Sequence, residues 1–190
     1  MARWEPDAPE RLVRAAVDLF DEQGYDNTTV VQIAERAGLT KSTFFRHFPD
    51  KREVLFAGQN ILSRLLADGI AGAPDSATPL QAVAAGLEAT ATAFPLERRD
   101  VGPRIRAVVA GNSELRERAA LKHARLAEAI ADALRERGVA GPIATVAAEL
   151  GALAFQTAHT RWTDQPDEQE FAEVARQTLT ELATAAAKLD

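Results

Sequence analysis

The 190-residue sequence contains no cysteine, and this absence excludes disulfide bonds and every metal or redox site built on thiolates. It also lacks any apolar run near the roughly 20 residues that a transmembrane helix needs. Its first residues, MARWEPDAPERL, contain no apolar signal core. We therefore expect a cytoplasmic protein that does not enter a membrane.

Positive charge is also scarce, because 22 lysines and arginines face 28 aspartates and glutamates, for a net charge of −6. This balance weakly disfavours a nucleic-acid partner, since phosphate binding draws on local positive charge. The charge is unevenly distributed, however: residues 32–52 contain five cations and two acids. DNA therefore remains a possible partner of this one segment.

The residue patterns of common enzymes are missing as well. The chain has three histidines, and it contains neither HExxH nor GxGxxG. No nucleophile–base pair or pair of carboxylates stands at a distinctive spacing. We expect no enzymatic activity, no metal site and no cofactor.

Helical spacing runs through the sequence, and no segment favours a strand. Thr29 and Thr40 suit the N-caps of two short helices, joined at Gly38. Asp50, with a glutamate three residues on, favours the start of a fourth, longer helix toward Ile70. We predict an all-α fold of about nine helices, with a three-helix helix-turn-helix domain over 1–56 and a helical ligand-binding and dimerisation domain over 57–190.

Residues 29–48 have the pattern of a DNA-binding helix-turn-helix. Phe44 and Phe48, spaced i,i+4, form an inner face on the second helix. The outward side chains combine hydroxyls, cations and an aromatic ring, which suit phosphate oxygens and base edges. These candidate DNA contacts are Lys41, Ser42, Thr43, Phe45, Arg46 and His47. Simple surface packing of Phe45 and a solvated, non-contacting Arg46 remain open alternatives.

The segment TTVVQIAERAGLTKSTFFRHFPDKREVL, preceded by RLVRAAVDLFDEQGY, resembles the N-terminal domain of the tetracycline-repressor (TetR) family of bacterial transcription regulators. The resemblance implies a homodimeric repressor that a small effector releases from a palindromic operator. It also implies phosphate contacts from Thr29 and Lys51. Phe45 stands where the family usually has tyrosine, and Val31 where it sometimes has a base-reading arginine. These departures leave an alternative, an all-α interaction protein with a degenerate DNA-binding face.

A stripe of small residues in the eighth helix predicts close helix packing. Together with an apolar stripe on the last helix, it predicts a dimer interface of four helices, two from each subunit. Its residues are Ala147, Gly151, Ala154, Ala158, Phe171, Val174, Thr178 and Leu182. The alternative is that both stripes pack inside one subunit.

A ligand site is predicted where apolar walls and a few polar groups share helical faces. Its candidate residues are Phe94, Arg104, His123, Phe155, His159 and Trp162. Arginines 98, 99, 104 and 106 surround a Gly-Pro break; with FFRHFPDK, this stretch resembles the actinobacterial TetR branch that includes the mycofactocin regulator. That resemblance implies an acyl-CoA-like effector. The alternatives are a histidine satisfied in the core and a solvated arginine face.

Overall fold

A computed structural model describes residues 8–94, 99–164 and 169–189. Within these ranges the chain forms nine α-helices, two short 3-10 helices and no strand, which confirms the all-α prediction. The 3-10 helices are Arg52–Phe56 and Thr90–Ala93. The α-helices are α1 (Ala8–Gln23), α2 (Val30–Arg36), α3 (Lys41–His47), α4 (Gln59–Ala71), α5 (Pro79–Ala89), α6 (Val101–Gly111), α7 (Ser113–Glu136), α8 (Gly141–Asp164) and α9 (Phe171–Ala186). No helix of the described ranges has the length and apolar character to cross a membrane.

The chain divides into two compact units. The first unit contains the residues up to Gly58 together with Pro103–Ala119, and the second contains Gln59–Gly102 and the residues from Ala120 onward. The sequence placed everything after residue 56 in one domain, whereas 103–119 packs within the first unit. The predicted domain boundary after residue 56 stays a prediction.

Ion pairs join the 103–119 segment to the rest of the first unit. The guanidinium of Arg104 lies 2.8 Å from a carboxylate oxygen of Asp18 and 2.6 Å from one of Asp21. Glu114 lies 2.5 Å from the guanidinium of Arg52. Exposed pairs of this kind contribute up to about 1 kcal/mol each. They therefore favour this packing but supply only a small part of its stability.

The inner faces of α1, α2 and α3 form the core of the helix-turn-helix region. Leu12, Ile33 and Phe44 are each fully buried. Phe44 also packs against Phe48, with ring centroids 5.6 Å apart. Truncating a buried phenylalanine costs about 3–5 kcal/mol, so this contact fixes which face of α3 points outward.

The two short helices begin at the predicted caps. The hydroxyl of Thr29 accepts a hydrogen bond from the backbone N–H of Gln32, whose side chain accepts one from the Thr29 N–H at 2.8 Å. The hydroxyl of Thr40 accepts a hydrogen bond from the N–H of Thr43 at 3.1 Å. Gly38 has φ +66°, a conformation that glycine adopts without the strain of a side chain. These predictions are confirmed.

The predicted long helix from Asp50 toward Ile70 is wrong. Asp50 does cap its first turn, since its Oδ1 accepts hydrogen bonds from the N–H groups of Arg52 and Glu53. The hydrogen bond from the Arg52 side chain lowers the pKa of Asp50. Only a 3-10 helix follows, however, because Gly58 at φ +83° leaves the right-handed helical region before α4 begins.

In the second unit, α4 and α5 touch through two glycines. A Cβ atom added at Gly69 would lie 2.8 Å from the carbonyl oxygen of Ala85, and one added at Gly86 would lie 2.9 Å from that of Leu66. Real Cβ atoms do not approach backbone oxygens this closely, so the contact requires glycine at both positions.

The small-residue stripe of α8 packs inside the second unit, which corrects the predicted dimer interface. A Cβ atom added at Gly151 would lie 2.7 Å from Cγ1 of Val83 on α5. Seven of the eight predicted residues are buried within the single chain, and the eighth packs half-buried against the same core. The buried residues are Ala147, Gly151, Ala154, Ala158, Phe171, Val174 and Thr178, and the half-buried one is Leu182. They are core residues of one subunit, as the alternative proposed.

Candidate functional site

The outer face of α3 presents the side chains that the sequence predicted for DNA contact. Lys41, Ser42, Phe45 and Arg46 are exposed, whereas Thr43 and His47 are half-buried. Because α3 is a single two-turn helix held by Phe44, the four exposed side chains share one surface. We call this surface the α3 face, defined by Lys41, Ser42, Phe45 and Arg46.

Two of the five cations in residues 32–52 have acidic partners. The guanidinium of Arg36 donates two hydrogen bonds, at 2.8 and 2.7 Å, to the carboxylate of Glu22, and these lower the pKa of Glu22. Arg52 is paired with Asp50 at 2.7 Å and with Glu114. These arginines therefore stabilise the first unit rather than present free charge.

Lys51 is committed to the backbone of the turn before α2. Its Nζ donates hydrogen bonds to the carbonyl oxygens of Tyr25 at 2.6 Å and Thr28 at 2.9 Å. It also lies 4.0 Å from the ring centroid of Tyr25. Burial lowers the pKa of Lys51 and raises that of Tyr25 to about 12. One ammonium proton remains for a phosphate, so the predicted contact of Lys51 stays a prediction.

The two remaining cations of this segment, Lys41 and Arg46, are also exposed. Among the described residues, neither forms an ion pair with an acidic side chain. Lys41 Nζ lies 5.9 Å from the ring centroid of Phe45. Phe45 is 47% exposed, and its ring meets that of Phe44 edge-on at 5.6 Å. The α3 face therefore combines two free cations with an exposed aromatic ring.

The hydroxyls and the histidine predicted for DNA contact are partly engaged within the protein. The hydroxyls of Thr43 and Thr40 lie 2.9 Å apart in a hydrogen bond. The hydroxyl of Thr29 donates to the Gln32 side chain at 3.0 Å. His47 Nε2 is buried, with no hydrogen-bond partner in the described residues, so this atom faces the protein. Ser42 remains exposed.

Four of the six predicted ligand residues come together in the second unit as an aromatic cluster. The cluster consists of the rings of Phe94, Phe155, His159, Trp162 and Phe171. Phe94 is its centre, with ring centroids 4.4 Å from Phe171, 5.4 Å from His159 and 5.7 Å from Phe155. Trp162 is 1% exposed and donates a hydrogen bond from Nε1 to the Gln169 carbonyl at 3.1 Å.

The remaining predicted ligand residues do not join the aromatic cluster. Arg104 belongs to the first unit and is bound by Asp18 and Asp21. His123 is half-buried on α7, and no ring contact of the described residues involves it. The guanidinium of Arg99 lies 5.0 Å from the Trp162 ring centroid, while Arg98 lies outside the described residues.

Sequence reasoning missed two apolar surfaces of the second unit. A concavity of about 490 Å³ lies between α5 and α9, with walls that include Leu80, Ala84, Leu179 and Ala183. On α8, large apolar side chains project opposite the buried small ones: Ile143, Val146 and Leu153 are 56%, 62% and 42% exposed. We call these three residues the outer α8 face. Their spacing of three and seven residues along one helix is the signal that could have revealed it.

Comparison with known proteins identifies the N-terminal segment. Residues 12–57 match the model of the family described as bacterial regulatory proteins, tetR family. The transcriptional regulator TcmR of Streptomyces glaucescens is 38% identical to this chain over 80 residues, which are 42% of this chain and 35% of TcmR. The match thus spans about a third of that relative, and it leaves the membership of an actinobacterial branch a prediction.

Solved structures resemble the fold over nearly the whole chain. The SmeT–triclosan complex has a TM-score of 0.60 at 19% identity and covers 94% of this chain and 90% of SmeT. FadR of Thermus thermophilus, a TetR-family repressor in complex with lauroyl-CoA, has a TM-score of 0.54 at 24% identity and covers 92% and 93%. At these identities the likeness is one of fold. The part of the chain that these comparisons assign to a family is therefore residues 12–57, which match the N-terminal domain of the tetR family of bacterial regulatory proteins.

Proposed function

We propose that the protein is a DNA-binding transcriptional regulator that acts as a homodimer on a palindromic operator. The observation that carries this proposal is the α3 face, where two cations and a hydroxyl stand exposed on the second helix of a helix-turn-helix. Such a helix can enter the major groove of B-DNA, and two of them about one helical turn apart reach successive grooves. A cytoplasmic location follows from this partner and stays a prediction.

The salt dependence of binding tests the role of the two cations. Removing one phosphate contact lowers the slope of log K against log salt by about 0.9. The double variant Lys41→Ala, Arg46→Ala removes two such contacts from each subunit of a dimer, so we expect the slope to fall by about 3.6. Fluorescence anisotropy with DNA from upstream of the gene, between about 50 and 200 mM salt, measures it.

Arg36→Ala is the matched control. It also removes an exposed cation of the helix-turn-helix, but one already neutralised by Glu22, so its slope should equal that of the wild type. An equal decrease of slope in Arg36→Ala and the double variant would contradict the proposed interface. Failure of the wild type to bind any of this DNA would favour the alternative, an interaction protein with a degenerate DNA-binding face.

The homodimer is assigned to the outer α8 face in place of the buried small-residue stripe. Isolated apolar side chains on a surface are ordinary, but a stripe of large ones along one helix is typical of an interface. Ile143, Val146 and Leu153 form such a stripe on the side of α8 that faces away from its own core. Two copies of α8 packed through it would hide these side chains from water.

The proposed effector is a small apolar molecule that binds in the second unit. The more specific proposal is an acyl-CoA-like molecule. The aromatic cluster supports the apolar part, because it places apolar ring surface beside the polar ring of His159. The lauroyl-CoA complex of Thermus FadR, a protein of the same fold, agrees with it. Arg99 and Arg104 give no support to a phosphate site, since they are engaged with Trp162 and with Asp18 and Asp21.

Tryptophan fluorescence tests the effector. The chain has two tryptophans, so a Trp4→Phe background leaves the emission of Trp162, at the aromatic cluster, as the signal. We expect lauroyl-CoA and lauric acid to change this emission and to weaken operator binding at the same concentrations, whereas free coenzyme A does neither. Operator release without any change in Trp162 emission would place the effector elsewhere.

A further inference from the structure

Two large apolar side chains stand exposed on the described part of the first unit, and both lie in the helix-turn-helix. Val31, in the first turn of α2, is 40% exposed, and Phe45 on α3 is 47% exposed. The other large apolar residues exposed to this degree belong to the second unit. A single exposed apolar side chain is ordinary, but these two lie on the two helices of the helix-turn-helix, whose exposed side chains form the proposed DNA contact.

Several polar groups around them are already engaged. The side chains of Thr29 and Gln32 bond to one another beside Val31 in the chain, and the Thr43 hydroxyl bonds to that of Thr40. Arg36 is held by Glu22. Apart from Glu35, Lys41, Ser42 and Arg46, the exposed side chains of α2 and α3 that lack such internal bonds are the apolar Val31 and Phe45. Few side chains of this unit are therefore free to form hydrogen bonds with base edges.

The position of Phe45 also suits an apolar contact in a charged setting. Its edge-on packing against Phe44 holds the ring in place, and Lys41 lies 5.9 Å from its centroid. Lys41 and the neighbouring Arg46 can meet phosphates on either side of a groove, while the ring between them has no hydrogen-bonding group. The occupant of this surface must thus be polyanionic and must also offer an apolar group.

In the major groove, the apolar group on a base edge is the C5 methyl of thymine. We propose that Val31 and Phe45 contact thymine methyl groups, so that this regulator distinguishes its operator half-site partly by methyl recognition. The proposal rests on the DNA-binding function proposed above and specifies how that function selects sequence. It assigns to Phe45 a role in base selection that needs no phenolic hydroxyl.

Replacing thymine by deoxyuridine tests the proposal, because it removes only the methyl group. A duplex is first enriched from a random library with the full-length protein, then resynthesised with deoxyuridine at one thymine of the half-site at a time. Removal of one buried methyl should weaken binding about fourfold, as expected for a methylene-sized apolar contact. The salt slope should stay unchanged, since no phosphate contact is altered.

Variants link each methyl group to its side chain. In Phe45→Ala or Val31→Ala, the thymine and deoxyuridine forms should bind equally at one position, while the other thymines keep their effect. Ile61→Ala, which truncates a 60% exposed residue of the second unit, is the control and should retain every effect of deoxyuridine. Because all three side chains are exposed, the folded state should be little affected.

The outcomes separate this inference from the function on which it rests. If the library yields no enriched duplex, DNA binding itself is overturned. If a duplex binds and deoxyuridine is neutral at every position, methyl recognition is overturned while DNA binding stands. Equal weakening of both forms by Phe45→Ala would overturn the role of Phe45 in methyl recognition.

Discussion

Val146→Glu is expected to convert the proposed dimer into a monomer that remains folded. Val146 is 62% exposed on the outer α8 face, so a carboxylate there is solvated in the monomer. In the proposed dimer, two copies would bring carboxylates into an apolar contact, and burying an unpaired charge costs several kcal/mol. Sedimentation velocity measures the conversion to monomers, and operator affinity should fall by roughly a hundredfold or more, because a monomer holds one half-site.

Gln156→Glu is the matched control for this substitution. It places the same carboxylate on the same helix at an exposed polar position, and the dimer should persist. The helical circular dichroism of both variants should equal that of the wild type. A dimer that survives Val146→Glu, or one that Gln156→Glu also disrupts, would contradict the assignment of the interface to the outer α8 face.

Gly151→Leu is expected to unfold the second unit or to lower its stability sharply. A Cβ atom at this position would already lie 2.7 Å from Cγ1 of Val83 and 3.4 Å from Cδ1 of Ile130, and leucine adds three further carbon atoms. Overpacking a closed core costs about 1–3 kcal/mol and sometimes more. Since native domains are stable by about 5–15 kcal/mol, the midpoint of denaturant unfolding should move markedly.

Gly141→Leu provides the comparison at the start of the same helix, because nothing lies within 4 Å of a Cβ added there. Its midpoint should change little. Combining Gly151→Ala with Val83→Ala should recover stability relative to Gly151→Ala alone, as the second change removes the opposing methyl groups. If Gly151→Leu left the midpoint unchanged but produced monomers, the small-residue stripe would be a dimer contact after all.

The helix-turn-helix was predictable from sequence because local chemistry determines it. Thr29 and Thr40 cap the helices that follow them, and Gly38 occupies a left-handed turn that few other residues adopt. Each of these features depends on neighbours within four residues. The start of α7 is equally local, since Asn112 caps the helix by accepting from the Leu115 N–H.

The candidate sites beyond this region were less predictable because they depend on distant parts of the chain. The partners of Arg104 lie more than 80 residues earlier, at Asp18 and Asp21, and no local pattern distinguishes that ion pair from a ligand-binding arginine. The stripe through Gly151 is equally suited to packing against another subunit or against Val83 of its own. Periodicity identifies a face that packs closely, but the tertiary fold determines which helix meets it.

In the proposed dimer, the two opposite faces of α8 separate the folding of each subunit from the pairing of the subunits. Small residues such as Ala148 and Gly151 pack against the chain's own helices, whereas Ile143, Val146 and Leu153 face outward. A substitution on the outer α8 face would therefore change which subunit is bound and leave the core nearly unchanged. Complementary charges installed there in two differently tagged copies, for instance glutamate at 146 in one and lysine in the other, would make each copy reject itself and accept the other. An obligate heterodimer made in this way could carry two different α3 helices and recognise an operator whose halves are unlike.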